Sequence, residues 1–141
     1  MTLIATSGFI VQPDRLSKWL KHEYALDLCR ELGVLAPGEG DPRTVVSGQV
    51  LGAVPTDDGT GVEIDVYVAL DPAGVDGSEV AAGVAIHDAT AGDGVAGQVL
   101  VLNGGPSSVD PVHLIWPDGI TASQKAKAIR ELRDIGIRAA P

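Results

Sequence analysis

The chain has 141 residues, with 10 Lys or Arg against 19 Asp or Glu and a net charge of −9. That length supports one domain with a real core and leaves no room for two comfortable ones. Its 45% hydrophobic content excludes an intrinsically disordered chain, and 18 Gly with 9 Pro point to turn-rich β structure.

The distribution of charge says more than its sum. Residues 44–124 contain 11 acids and no Lys or Arg, whereas residues 125–141 carry five bases and two acids. Phosphate backbones are bound mainly by Lys and Arg, so nucleic acid is not an expected partner of the body. No disulfide can form within a chain holding one cysteine, Cys29. The N-terminus lacks the basic region of a secretory signal. The longest uncharged tract, Gly94–Val109, is 16 residues and falls short of the roughly 20 that a membrane span needs.

In chain order, Asp14 to Leu32 places Leu16, Trp19, Leu20, Tyr24, Leu28 and Leu32 mostly at three- and four-residue steps. These positions spread over more than half of a helical wheel, so a helix and an extended docking arm both fit. Ala36 to Pro42 reads as a turn-forming linker, dividing the chain into 1–43 and a β body at 44–141. On that division the body folds without residues 1–32. Within the body, Val62 to Leu70 alternates, with Val62, Ile64, Val66, Val68 and Leu70 on one face. Further strands are expected at Val45–Val54, Glu79–Ile86, Gln98–Leu102 and Val112–Trp116, with bends or bulges at Gly48, Gly52 and Gly83. Turns are expected at Asp58-Gly59, Asp71-Pro72, Asp76-Gly77 and Asp93-Gly94. One C-terminal helix is expected over 121–135. Thr121 and Gln124 form its capping box, Ala122, Ala126, Ile129 and Leu132 its apolar stripe, and Gly136 its stop.

Motifs for chemistry are sparse. Gly92-Asp93-Gly94-Val95-Ala96-Gly97 is a literal G-x-G-x-x-G, but a strand follows where a dinucleotide site needs a helix, so it reads as a hairpin loop. Asp57-Asp58 and the pair Glu63 and Asp65, about 7 Å apart on one strand face, are the closest carboxylates; outward carboxylates are usually just solvated. His22, His87 and His113 have no ligand spacing, and no nucleophile elbow or Walker loop occurs. Neither an enzyme nor a cofactor is indicated. Trp19 is expected at an interface because its segment has few apolar neighbours, and Tyr24 follows the same logic.

Three stretches go further. Gly48-Gln49-Val50-Leu51-Gly52, then Asp71-Pro72-Ala73-Gly74-Val75-Asp76-Gly77-Ser78-Glu79-Val80-Ala81-Ala82-Gly83, then Leu114-Ile115-Trp116-Pro117-Asp118-Gly119-Ile120-Thr121 through Leu132 to Ile137, resemble in that order the lambda-type phage head decoration protein family. The resemblance covers about residues 44–141. It implies a mainly β, β-clip-like or small-barrel fold with a C-terminal helix. It also implies homotrimers on the outer surface of the expanded virion capsid at three-fold and quasi-three-fold positions, clamping it against internal genome pressure. The partners it implies are the major capsid protein and the chain itself, with no cofactor, metal or membrane, and synthesis in the host bacterial cytoplasm. It places capsid contacts on Leu16, Trp19, Leu20, Tyr24 and Leu28, and a trimer or shell interface at Asp71, Pro72, Trp116 and Pro117. On the residues alone Trp116 reads first as core filler at a strand end. Three other readings remain open on the residues alone: a tail or baseplate adaptor, a small glycan-binding module, and an enzyme using the Asp57–Asp65 carboxylates with a divalent cation.

Overall fold

The computed structural model describes residues 16–57 and 59–140. In chain order these form β1 (Leu20–Glu23), α1 (Leu26–Cys29), β2 (Arg30–Leu35), β3 (Arg43–Val45), β4 (Val50–Asp57), β5 (Glu63–Ala69), β6 (Ala81–Ala85), β7 (Ala89–Ala91), β8 (Gly97–Leu102), β9 (Ser107–Val109), α2 (Ala122–Asp134) and β10 (Ile137–Ala139). Five strands close a barrel in the order β2-β5-β4-β6-β8. A second sheet, β1-β9-β10, has β9 at its centre, and β3 pairs with β7.

The barrel interior is filled by Leu35, Leu51, Tyr67, Ala85, Val99 and Val101, all buried. Five strands enclose little space, and one aromatic ring takes much of it. Gly33 makes that possible, since a Cβ there would lie 2.5 Å from the Tyr67 ring. The predicted alternation of β5 is present, and its apolar set lies outside the barrel. Ala53 pairs with Tyr67 and Leu51 with Ala69, so the inward residues are Asp65, Tyr67 and Ala69. Val66 and Val68 lie on the outer wall, Leu70 joins the outer core, and Val62 is exposed. Period 2 gives the repeat of a strand, not the side that a closed barrel will fill.

The outer core lies between the barrel wall, the three-stranded sheet and α2. Val50, Val84 and Leu102 meet Trp19, Cys29, Val109, Leu132 and Ile137 there. Trp19, expected at an interface, is a core residue at 1% exposure. Its indole Nε1 donates to Ser47 Oγ at 3.1 Å. Gly48, at φ +87°, leaves the space the ring occupies; a Cβ there would sit 2.9 Å from Trp19 Cδ1. This same glycine separates β3 from β4, so the strand expected over Val45–Val54 is two strands. Pairing slips between Leu51 and Gly52, the expected bulge.

Residues 16–43 are not a separate arm. β2 is a barrel strand, antiparallel to β8 along its whole length and parallel to β5. The linker Ala36–Pro42 is tied down as well: Gly38 N donates to Gly92 O and Gly40 N to Asp93 Oδ1, both at 2.9 Å. Removing residues 1–32 would therefore open the barrel and empty Trp19 and Cys29 from the outer core. The rest of the expected arm, residues 1–15, lies outside the described residues.

Two further expectations change. Val112–Trp116 is irregular, touching the sheet region through a bridge between Gln49 and Ile115. Helix α2 starts with the predicted Thr121–Gln124 capping box, but it buries Ala128 and Leu132 while Ala122 and Ala126 stay exposed. Leu132 packs that side of α2 on the outer core, and Glu131 Oε1 beside it accepts from Ala81 N of β6 at 3.0 Å. The turn glycines Gly59, Gly77, Gly94 and Gly136 have the positive φ that their positions predict. Gly92–Gly97 joins β7 to β8 as a loop. Among the described residues no helix is long and apolar enough to cross a membrane.

Candidate functional site

The most exposed large apolar run follows β1. Tyr24, Leu26, Leu28 and Leu32 are between 61% and 69% exposed within nine residues. Scattered single apolar side chains at a surface are ordinary, whereas a run of four marks an interaction surface. The backbone beneath is held firmly. Tyr24 N donates to Pro106 O at 2.9 Å, and Cys29 O accepts from Asn103 N at 2.9 Å. Arg30 grips Glu23 with two parallel bonds, Nε to Oε2 at 2.7 Å and Nη2 to Oε1 at 2.6 Å, both side chains largely shielded. Such a two-pronged charge-assisted pair fixes orientation as well as adding energy. The apolar side chains thus project from a corner that is already ordered, which lowers the entropy lost on docking.

Beside this run lies a hollow of about 510 Å³ lined by Leu16, Leu20, Tyr24 and Leu26. Of the residues expected to contact a capsid, Leu16, Leu20 and Tyr24 come together here and Leu28 stands exposed nearby. Trp19 does not join them; it faces the core beneath. Leu26 and Leu32 belong to the exposed run and were not among the expected contacts. The signal for Leu26 is faint, because a two-residue step to Leu28 fits no helical stripe.

The second set, Asp71, Pro72, Trp116 and Pro117, is brought together only in part. Asp71, Pro72 and Pro117 line one cleft of about 540 Å³, with the outer-wall residues Val54 and Val68 as its floor. Asp71 Oδ1 accepts from Ala73 N at 3.1 Å, and Asp76 Oδ1 accepts from Ser78 N and Oγ, which holds the Asp76 carboxyl below its ordinary value. Trp116 stands behind this cleft, half-buried against the outer core. Its Nε1 donates to Pro111 O at 3.0 Å, and Lys125 Nζ lies 5.3 Å from its ring centroid. Trp116 is therefore both core filler and corner residue.

The remaining polar sites hold structure. At the barrel mouth, Tyr67 Oη accepts from Asn103 Nδ2, which also donates to Glu31, and burial pushes the phenol up. Asp110, nearly buried, accepts from Val112 N at 3.0 Å and from His113 Nδ1 at 2.9 Å; the His113 bond holds its carboxyl below the usual range. Asp57 Oδ1 caps the β4–β5 turn by accepting from Gly59 N at 2.8 Å. Glu63 and Asp65 are exposed, with Asp65 on the inward side at the mouth. Among the described residues no group of three or more His, Cys, Asp or Glu converges as a metal site.

The molecule thus offers two surfaces, one apolar and preordered, one an acidic cleft. Comparison with curated proteins finds no match to this chain. The sequence model of the Bacteriophage lambda head decoration protein D family matches residues 9–137, which spans both surfaces and every described strand but the last two residues of β10. The chain belongs to the Bacteriophage lambda head decoration protein D family.

Proposed function

We propose that this protein binds the outer surface of an expanded phage head as a homotrimer at three-fold and quasi-three-fold positions, and stabilises the shell against the pressure of the packaged genome. Family membership supports a capsid decoration role. The observation that carries the finer reading is the exposed run Tyr24, Leu26, Leu28 and Leu32 on a rigid corner. Among the described residues its neighbour β1 is an edge strand, paired only to β9. An edge strand accepts a further strand through backbone bonds with little demand on sequence, and the apolar side chains beside it supply area. The partner for that edge is a strand or loop of the major capsid protein.

Retention then follows from number. Once one subunit of a trimer is seated, the other two bind as intramolecular events, which raises apparent affinity by roughly 10²–10⁴. Such a clamp has no reacting atoms, and the tight polar pairs described above serve folding.

The test is co-sedimentation with expanded, undecorated heads, counting bound copies per major capsid subunit. Saturation near one copy per subunit is expected. The double variant Tyr24→Ala, Leu28→Ala should bind roughly tenfold more weakly, as for anchor residues at an interface. It should melt like the parent protein because both side chains are exposed. Full binding by that variant would remove the apolar run from the contact, and no binding by the parent would overturn decoration.

A further inference from the structure

Helix α2 carries two apolar faces, and the fold uses one. Ala128 and Leu132 are buried, while Ala122 and Ala126 are exposed and Ile129 is half-buried. Arg130 and Arg133, both exposed, belong to the same outer side, and neither guanidinium has a hydrogen-bond or ion-pair partner among the described residues.

The cleft beside the start of that helix has the opposite chemistry. Its floor is Val54 and Val68, and its rim carries Asp71, Asp76 and Asp118. Asp118 is exposed and without a partner among the described residues. Arg43, the cation at the rim, is already engaged: its Nε donates to Ala36 O at 3.1 Å, and its Nη2 lies 3.6 Å from Glu39, which lines the same cleft. The helix dipole accounts for acid near one end and base near the other. It does not account for an apolar stripe left facing solvent between them.

One copy cannot join its own two patches, because twelve helical steps put about 18 Å between Thr121 and Arg133. An apolar stripe flanked by arginines and an apolar floor rimmed by aspartates are complementary across two copies. Being different patches on one chain, they make a head-to-tail contact, the kind that closes a ring when the rotation suits. We propose that the outer face of α2 in one copy seats in the acidic cleft of the next, with Arg133 against Asp118, and that three such contacts close the trimer. This rests on the reading of the protein as a shell-bound trimer, and it assigns the surfaces between subunits.

The experiment uses the double variant Asp118→Cys, Arg133→Cys, bound to expanded undecorated heads and then oxidised. The native Cys29 is fully buried and does not compete. Covalent dimers and closed trimers are expected on non-reducing gels, and neither single variant should give closed trimers. A double variant that binds heads yet stays monomeric would overturn the contact while leaving decoration intact. If the parent protein fails to bind heads, decoration fails, and oxidation of the concentrated double variant in solution decides the contact: covalent oligomers uphold it and monomers overturn it. Should the cysteines themselves weaken binding, charge exchange decides. Arg133→Glu should weaken head binding roughly tenfold, and adding Asp118→Arg should restore it; equal loss in both overturns the pairing.

Discussion

The two cores of this protein are assembled from different parts of the chain. The barrel interior draws on residues 35–101, in strands that meet largely through hairpins and near neighbours. The outer core takes Trp19 and Cys29 from one end of the described chain and Leu114, Ala128, Leu132 and Ile137 from the other, and presses them on the barrel wall. The barrel is thus a scaffold that the middle of the chain nearly completes, with β2 as its closing stave. The outer core binds the exposed corner at Tyr24 to that scaffold. The Tyr24 corner is thus anchored in a core built from both ends of the described chain and not in a loop of its own.

Removing the anchor is the strongest way to break this comparison. Trp19→Ala should cost about 3–5 kcal/mol and be seen as a lower urea midpoint, with head binding lost at temperatures where the parent still binds. If stability were unchanged, the outer core would not depend on its N-terminal contributor. A matched pair sharpens the contrast: Leu51→Ala empties the barrel interior and Leu132→Ala the outer core, each costing about 2–5 kcal/mol. Both should unfold in one transition by fluorescence and circular dichroism, since the two cores share the barrel wall. A biphasic melt confined to Leu132→Ala would show that the outer core opens by itself.

The parts legible in the sequence are those set by near neighbours in the chain. The Thr121–Gln124 capping box forms as written, Thr121 Oγ1 accepting from Gln124 N and Gln124 Oε1 from Thr121 N. The same holds for the turns at Gly59, Gly77 and Gly94, where positive φ is a property of one residue. Tyr24, read by the argument that its segment has few apolar neighbours, is exposed. Trp19 misled by the same test, since what buries it, Ser47 and Gly48, lies 28 and 29 positions away. β2 was read as half of an arm because its partners, β8 and β5, are distant in sequence and its Arg and Glu residues look solvated. The outer stripe of α2 is visible, but not its direction: helical period marks faces, while packing of Ala128 and Leu132 on distant strands, with Glu131 bonded to β6, goes with the face that turns inward.

Smaller effects refine the comparison. Thr121→Ala removes one helix cap and should cost about 1 kcal/mol, read as a modest fall in melting temperature and confined to the outer core. The smallest concerns Asp110, whose carboxyl is held below its ordinary value by His113 and Val112 N. Its contribution is complete above the unfolded value of about 3.9 and is lost as pH falls through the lower folded value. Asp110→Asn should therefore lower the melting temperature slightly at neutral pH and flatten the acid limb below about pH 4, where the two proteins converge. An acid limb of equal slope in both proteins would place the titration elsewhere.

The central strand β9 has a topological consequence. Leu20 pairs with Val109 on one side, and Ala139 pairs with the same Val109 on the other. Two strand spacings separate them, about 10 Å, a gap that roughly three residues of extended chain can bridge. The start of β1 and the end of β10 are therefore side by side, and the β4–β5 hairpin tip offers a natural place to cut instead. The domain is topologically close to a circle, so a permuted chain opened at Gly59–Gly61 could keep every strand pairing described here, and any passenger joined near residue 20 or residue 139 would leave from one common point.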